Sequence, residues 1–288
     1  MDPAALFDSP REVTNSSISD PASQVGVGGR TYQAYREDTY YLPNDADEQD
    51  RLDFQHEMTS ILLDKQLSVA PVQDPKYVLD VATGTGIWAL DYATENPDCQ
   101  VIGTDLSLIQ PDMEATVPNC RFVREDSEDP WTYANRITYA VNPGGWIEYV
   151  DQSVEPMRHG GTAEGSVWHH YVTTFLDTMA KLGRDLQCPR KYKQWLEEVG
   201  FVNVQEQLVP IPMSPWPSNP KLKLVGSYNL AKVRTGDLQV AKPIFLRNGM
   251  SDLEYEELAN KVRLEITDRN NQYYILLVVV YGQKPPAG

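Results

Sequence analysis

Short apolar runs alternate with longer segments of helical periodicity from Tyr77 to the end of the chain. The apolar runs predict strands, and the periodic segments predict helices with one buried face. The predicted strands are 77–81, 100–104, 121–123, 146–150, 202–209 and 273–281, and the predicted helices are 87–95, 167–182, 195–199 and one that begins at a capping box of Ser251 and Glu254. This alternation predicts the α/β class, with a mostly parallel sheet and helices on both of its faces.

The first 75 residues do not show this alternation of predicted strands and helices. Residues 1–30 mix Pro, Ser, Asp and Gly without periodicity, which predicts a disordered tail. In the segment 31–75, Asn44 or Asp45 can cap a following helix. We therefore divide the chain into the tail at 1–30, an N-terminal helical segment at 31–75, and a main domain at 76–288 with a helical insertion at about 212–268.

The charge balance excludes several classes of partner. With 25 basic and 41 acidic residues the net charge is −16, so the surface repels nucleic acid and anionic lipid. The three cysteines form no Cys-x-x-Cys pair, which is evidence against a disulfide framework and a metal site. No secretion signal opens the chain, and its most apolar stretch, 273–281, is too short to cross a membrane as a helix. We expect a cytoplasmic protein, with the nucleus as the alternative, that binds neither nucleic acid nor membranes.

A glycine-rich turn between the first predicted strand and the next helix carries the strongest chemical signal. Gly84 and Gly86 permit a tight turn and a close approach by a ligand, with a helix N-terminus behind it. Gly-x-Gly alone is a weak signal, and with Ala89 it also matches the dinucleotide pattern Gly-x-Gly-x-x-Ala. Asp80 favours S-adenosylmethionine over a dinucleotide as the ligand. Its carboxylate would repel a pyrophosphate but suits the ammonium and sulfonium groups of S-adenosylmethionine.

Two further acids follow the next two strands. Asp105, at the end of the second strand, can accept both hydroxyls of an adenosine ribose, and Asp126, after the third, can accept the adenine amino group. The alternative for each acid is an ordinary surface position in an acidic protein. Acids at three successive strand ends favour a cofactor site.

Five segments of the chain together resemble the fungal LaeA/UMTA-type (TAM-domain) methyltransferases: 41–56, 78–88, 101–111, 143–148 and 249–285. The resemblance implies a class I methyltransferase fold with a Rossmann-like sheet, and S-adenosylmethionine as the cofactor. It also implies a role in fungal secondary metabolism, with a small-molecule or peptide-derived methyl acceptor. Members of the family include tailoring enzymes and a nuclear regulator of metabolite clusters.

The resemblance also assigns roles to individual positions. It implies methionine and backbone contacts at Asp80, Gly84, Thr85 and Gly86, a ribose contact at Asp105, adenine contacts at Leu106 and Asp126, and a cofactor contact at Tyr41. The helix at 41–56 would cover the cofactor as a lid. Packing of its tyrosines against the sheet edge is the alternative to a direct contact.

Histidines are the candidates for a general base, which methyl transfer needs only when the nucleophile must lose a proton. His169 and His170 begin the long helix after the Pro-Gly-Gly strand, His56 lies on the lid helix, and His159 lies in a glycine-rich loop. We select His169 and His56 as the candidate catalytic residues. A helix-surface or packing position is the alternative for each.

The family pattern breaks at 132–142. Family members have a strand and a helix between the Glu-Asp-Pro-Trp segment, here 128–131, and the Pro-Gly-Gly that begins at Pro143. At ~3.3–3.6 Å per extended residue, this short segment can form one strand or a short helix but not both. We therefore expect the central fourth strand to be missing.

Three explanations compete for this break. The chain is a truncated or mis-spliced product that folds poorly, or residues 132–141 supply a replacement strand, or it is a degenerate relative that binds the cofactor weakly or only binds partners. The last explanation makes a non-catalytic regulator or scaffold with a protein partner the first alternative function. A nicotinamide-dependent oxidoreductase is the second, because of the Gly-x-Gly-x-x-Ala match.

Overall fold

The computed structural model describes residues 23–26, 29–33, 42–113, 115–125 and 141–287. Two predicted cofactor contacts, Tyr41 and Asp126, lie outside these residues, as does nearly all of the shortened segment at 132–142.

A short antiparallel pair of strands comes first in the described chain. Strand β1, Ser23–Val25, pairs with β2, Thr31–Gln33. Strand β1 lies inside the segment predicted as a disordered tail, and a three-residue strand is too short to produce a visible alternation of polar and apolar positions.

Helix α1, Ala46–Leu62, follows and begins at the predicted N-cap, Asp45. The side chain of Asp45 accepts the backbone N–H of Glu48 at 3.1 Å and also pairs with the guanidinium of Arg30 at 2.6 Å. The N-cap therefore also ties the start of the helix to the chain ahead of β2.

The first sheet is parallel and has the order β3-β4-β5 in the described chain. Its elements are β3 (Tyr77–Val81), α2 (Ile87–Glu95), β4 (Gln100–Asp105) and β5 (Cys120–Arg124). Helix α2 packs on this sheet through an apolar cluster that includes Ala89, Ala93 and Val101. The crossover from β3 through α2 to β4 brings the carboxyl ends of β3 and β4 to the same edge of the sheet.

The second sheet is antiparallel, with the order β6-β8-β7. Its strands are β6 (Trp146–Arg158), β7 (Val202–Pro212) and β8 (Tyr273–Gln283), and β8 runs against both neighbours. The helices are α3 (Val167–Lys181), a 3₁₀ turn (Cys188–Lys191), α4 (Tyr192–Glu198), α5 (Pro220–Lys232), a π-helical turn (Val233–Asp237), α6 (Leu238–Arg247) and α7 (Asp252–Thr267). Helix α7 begins at the predicted capping box of Ser251 and Glu254.

Strand β8 is buried on both faces, which explains its continuous apolar run. Ile275, Leu277 and Val279 face the cluster built with α1, α3 and α5–α7, whereas Val278 and Val280 face the cluster built with α4. The helices therefore cover both faces of the antiparallel sheet.

The α/β class is confirmed. Instead of the single, mostly parallel sheet that the sequence predicts, β3 to β8 form one parallel and one antiparallel sheet in the described residues. Within the described ranges, β3 pairs only with β4 and β6 pairs only with β8, so each has an outer edge without a strand partner. The side chains of β3 are all at least partly exposed, up to 53% at Tyr77, whereas four consecutive residues of β4 are buried. On β6, Val150 is 39% exposed.

The exposure of β3 departs from the usual pattern, because the first strand of a doubly wound sheet is normally among the most buried. The absence of the fourth strand itself stays a prediction, because the residues between β5 and β6 fall mostly outside the described part. In the described ranges, no helix is long and apolar enough to cross a membrane.

Candidate cofactor site

The glycine-rich turn joins β3 to α2 through three residues with left-handed backbone conformation. The φ angles are +56° at Ala82, +58° at Gly84 and +82° at Gly86. Glycine adopts this region without strain, whereas Ala82 does so at an energetic cost. The backbone N–H of Thr83 donates to the carbonyl of Thr104 at 2.9 Å, which fixes the turn against the end of β4.

Asp105 connects the end of β4 to this turn. Its Oδ2 accepts the backbone N–H of Gly84 at 2.9 Å, and its Oδ1 accepts the N–H of Ser107 at 2.9 Å. A carboxylate offers about four lone-pair sites, so two such bonds orient it and leave acceptor capacity for a ligand.

Asp80 is the second acid at this edge of the sheet. Burial raises the pKa of Asp80 to about 6, and the nearby charge of Asp105 acts in the same direction. The hydroxyl of Thr83 donates to its Oδ2 at 2.5 Å and opposes that shift. A positively charged ligand beside Asp80 would favour its ionised form.

Two residues that the sequence did not single out as site residues complete the turn. The amide of Gln110 donates to the carbonyls of Gly84, at 2.6 Å, and Ser107, at 3.0 Å. A Cβ atom on Gly86 would lie 2.5 Å from the ring of Phe122. Glycine at position 86 is therefore required for packing as well as for its φ angle, because the ring of Phe122 fills the space beside it.

The start of α2 offers hydrogen-bond donors to this site. Gly86 caps the helix without a side-chain hydrogen bond. The first N–H groups of a helix lack intrahelical acceptors and carry the positive end of its dipole. Such a helix start suits the carboxylate of an amino-acid ligand.

Helix α1 covers the outer side of the turn. The hydroxyl of Thr85 donates to Oδ1 of Asp53 at 2.7 Å, and a Cβ atom on Gly84 would lie 3.5 Å from Cδ1 of Leu52. No local signal in the sequence could have identified Asp53, because the contact joins residues 32 positions apart.

The histidines occupy separate places. His56 on α1 pairs through Nε2 with Asp91 of α2 at 3.2 Å. His169 lies in the first turn of α3, where its backbone N–H donates to the Ser166 hydroxyl, and the described contacts do not join it to the glycine-rich turn. His170 is exposed there, and the ring of His159 stacks on another aromatic ring outside the turn.

The structure thus brings together Asp80, Gly84, Thr85, Gly86 and Asp105 around one turn, with Leu106 half-buried beside them. Their chemistry fits S-adenosylmethionine: carboxylates for ribose hydroxyls and for cationic groups, and helix N–H groups for a carboxylate. The contacts at Tyr41 and Asp126 stay predictions. Among the described residues, no group of three or more His, Cys, Asp or Glu side chains could hold a metal ion.

Comparison with known proteins places the chain in a family. No family model matches it. It is 32% identical to methyltransferase pytC of Aspergillus terreus over 97% of this chain and 95% of that protein. The chain belongs to the fungal LaeA/pytC-type family of S-adenosylmethionine-dependent methyltransferases. The family predicted from the sequence motifs is confirmed.

Other LaeA/pytC-type relatives differ in what their names describe. The secondary metabolism regulator laeA of Monascus pilosus is 30% identical, over 94% of this chain and 83% of that protein. The protein-methionine methyltransferase laeA of Emericella nidulans is 30% identical, over 89% of this chain and 75% of that protein. Among solved structures, phosphoethanolamine N-methyltransferase 2 of Haemonchus contortus, in complex with S-adenosyl-L-methionine, matches with a TM-score of 0.44 and 16% identity over 86% of this chain and 54% of that one.

The comparison with pytC also shows a difference in length. The alignment has 312 positions, whereas this chain has 288 residues, so at least 24 positions of pytC stand opposite gaps in this LaeA/pytC-type chain.

Proposed function

We propose that this chain binds S-adenosylmethionine in front of the turn 82–86 and transfers its methyl group to a small-molecule or peptide-derived acceptor of fungal secondary metabolism. The observation that carries the proposal is the hydrogen bond from the Gly84 N–H to the Asp105 carboxylate. It joins the acid at the end of β4 to the turn after β3, so that one ligand can contact both. The name of the relative pytC supports the reaction class.

Each part of the cofactor has a matching group at this turn. The ribose hydroxyls donate to Asp105, and Leu106 lies beside the adenine. The amino-acid carboxylate accepts from the N–H groups at the start of α2, and Asp80 provides a negative charge for the ammonium and sulfonium. A pyrophosphate would meet that charge unfavourably, which is evidence against a nicotinamide cofactor.

S-adenosylmethionine supplies a methyl group that is activated by a positively charged sulfur atom. Because the leaving group is neutral, much of the catalysis can come from positioning an oxygen, nitrogen or sulfur nucleophile of the acceptor. Where that nucleophile must lose a proton, we favour His56 over His169 as the base. His56 lies on α1, which contacts the turn, and its pairing with Asp91 at 3.2 Å orients the imidazole.

Calorimetric titration tests the cofactor assignment. We expect the folded chain to bind S-adenosylmethionine and S-adenosylhomocysteine but not NAD. Asp105→Ala removes a charge-assisted pair of ribose hydrogen bonds with a total contribution of roughly 1.5–3 kcal/mol, so affinity for both ligands should fall about ten- to a hundredfold.

The control variant removes an acid that lies before the start of β4, the strand that ends at Asp105. Asp98 is exposed and precedes β4, so Asp98→Asn should leave both affinities unchanged. Equal binding by wild type and Asp105→Ala would refute the placement of the ribose. Saturable binding of NAD would favour the oxidoreductase alternative.

A non-catalytic regulator or scaffold is the second candidate. Two observations favour it: the outer edges of β3 and β6 lack strand partners within the described chain, and the chain is shorter than its alignment with pytC by at least 24 positions. In class I methyltransferases the element that we predict to be missing lines the acceptor pocket. Cofactor binding without turnover of any acceptor, together with a stable regulatory protein partner, would support this candidate.

A further inference from the structure

We infer that Asp53 of α1 is a positioning residue that docks the helix on Thr85 and makes the site prefer the charged cofactor to its neutral-sulfur product. This inference rests on the proposed binding of S-adenosylmethionine. It adds a residue to the site and a charge-based discrimination between cofactor and product.

The first argument is the contact itself. Oδ1 of Asp53 accepts the Thr85 hydroxyl at 2.7 Å, and the neighbouring Leu52 approaches Gly84. The inner side of the turn is fixed separately, by Asp105 at the Gly84 N–H and by Gln110 at the Gly84 carbonyl. Helix α1 thus holds the outer side of a turn whose inner side is already fixed.

The second argument is the anchoring of α1 on its other face. Arg51 forms a close ion pair with the buried Glu48 at 2.6 Å and lies 3.6 Å from Asp237 in the π-helical turn. Phe54 packs on Tyr228 of α5 with ring centroids 6.0 Å apart. Consecutive residues of α1 therefore contact the glycine-rich turn and the segment 220–237, so a shift of the helix changes both contacts together.

The third argument is charge. Docking of α1 adds the carboxylate of Asp53 to those of Asp80 and Asp105 around one turn. Because Asp80 is buried, a further negative charge nearby is unfavourable unless a cation binds at the turn. S-adenosylmethionine carries one more positive charge than S-adenosylhomocysteine, because its sulfur is a sulfonium. The docked helix therefore stabilises the cofactor more than the product.

The test separates the hydrogen bond from the charge. In Asp53→Asn the amide oxygen can still accept the Thr85 hydroxyl, but the charge is gone. We expect affinity for S-adenosylmethionine to fall about fivefold, as removal of one partly screened charge predicts, and affinity for S-adenosylhomocysteine to change less than about twofold. Glu57→Gln is the matched control, since Glu57 lies on the same helix and pairs at 2.7 Å with Lys65 instead. It should change neither affinity.

A second set of variants tests the docking contact. Asp53→Ala and Thr85→Val each remove the hydrogen bond and should weaken binding of both ligands. The double variant should be no weaker than the worse single variant, because both changes remove one interaction. Thr85→Ser keeps the hydroxyl and should weaken binding of both ligands less than Thr85→Val does. Thermal unfolding of each variant establishes that it is folded before titration.

The outcomes distinguish this inference from the proposed function. If wild type binds neither ligand, both are wrong. If wild type binds both ligands and Asp53→Asn shifts their affinities equally or not at all, the charge role of Asp53 is wrong and the cofactor site stands. Additive losses in the double variant would overturn the docking contact.

Discussion

The carboxylate of Glu148, on β6, accepts a hydrogen bond at 2.6 Å from the backbone N–H of Ala70, which lies ahead of β3. The same oxygen accepts the N–H of Val69 at 2.9 Å and the hydroxyl of Ser68 at 3.1 Å. Because β3 and β6 share no strand pairing in the described chain, these bonds link the approach to the parallel sheet with the antiparallel sheet. The link therefore supports the position of the two sheets relative to each other.

We expect Glu148→Ala to lower the free energy of unfolding by about 1–3 kcal/mol for each buried N–H group left without an acceptor. Glu148→Gln retains an acceptor oxygen and should have a smaller effect. Chemical denaturation measures both changes. Glu155→Ala is the control, because Glu155 is exposed on the same strand, and its effect should be close to zero. Equal losses at positions 148 and 155 would contradict the role of this link.

Asp80 should make cofactor affinity depend on pH. Burial raises the pKa of Asp80 to about 6, and a cationic ligand binds the ionised form better. Affinity for S-adenosylmethionine should therefore rise between about pH 5 and pH 7 and then level off. Titration at several pH values measures this, and Asp80→Asn should remove the dependence. A flat profile for wild type would place the cationic groups elsewhere.

The same acid should reduce the stability of the ligand-free protein near neutral pH. The folded-state pKa of Asp80 lies above its ordinary value of 3.8, so its contribution to stability is present below that value and is lost as pH rises through about 6. Asp80→Asn should raise the free energy of unfolding at pH 7 by up to ~3 kcal/mol while it weakens cofactor binding. Thermal unfolding at pH 5 and pH 7 measures the gain, which should shrink at the lower pH.

Ala82→Gly should stabilise the turn. Ala82 has a φ angle of +56°, where a Cβ atom is unfavourable and glycine is not. The expected gain is about 1 kcal/mol in the free energy of unfolding, offset in part by the greater freedom of glycine in the unfolded chain. Ala70→Gly offers a comparison at a buried position whose φ angle is not positive, and it should destabilise the protein. Loss of stability in Ala82→Gly would mean that the left-handed conformation is not strained.

Gly86→Ala and Gly144→Ala form a matched pair. The two glycines have φ angles of +82° and +81°, but only at Gly86 would a Cβ atom meet another side chain, the ring of Phe122 at 2.5 Å. Both changes should cost about 1 kcal/mol for the left-handed conformation, and Gly86→Ala should cost ~1–3 kcal/mol more for overpacking. Phe122→Leu should recover part of that difference. Equal losses in the two alanine variants would show that Phe122 moves aside freely.

Much of the site was predictable because its residues lie at the carboxyl ends of strands that the sequence predicts. Asp80, the two glycines of the turn and Asp105 follow strands whose apolar runs are plain in the sequence, and parallel strands bring their carboxyl ends to one edge. Gln110, Phe122 and Asp53 could not be predicted in the same way. Each contacts the turn from 26 to 36 positions away, and such a pairing depends on how separate elements pack.

The sequence by itself determined the α/β class, the family, the cofactor turn and the capping of helices at Asp45 and Ser251, because local periodicity and short motifs encode all of these. Only the tertiary structure decided that β8 lies between two strands that run against it, that the described strands form two sheets, and that α1 rests on Thr85. The physical reason is that strand order and helix docking depend on burying apolar faces shared by distant segments, which no single segment specifies.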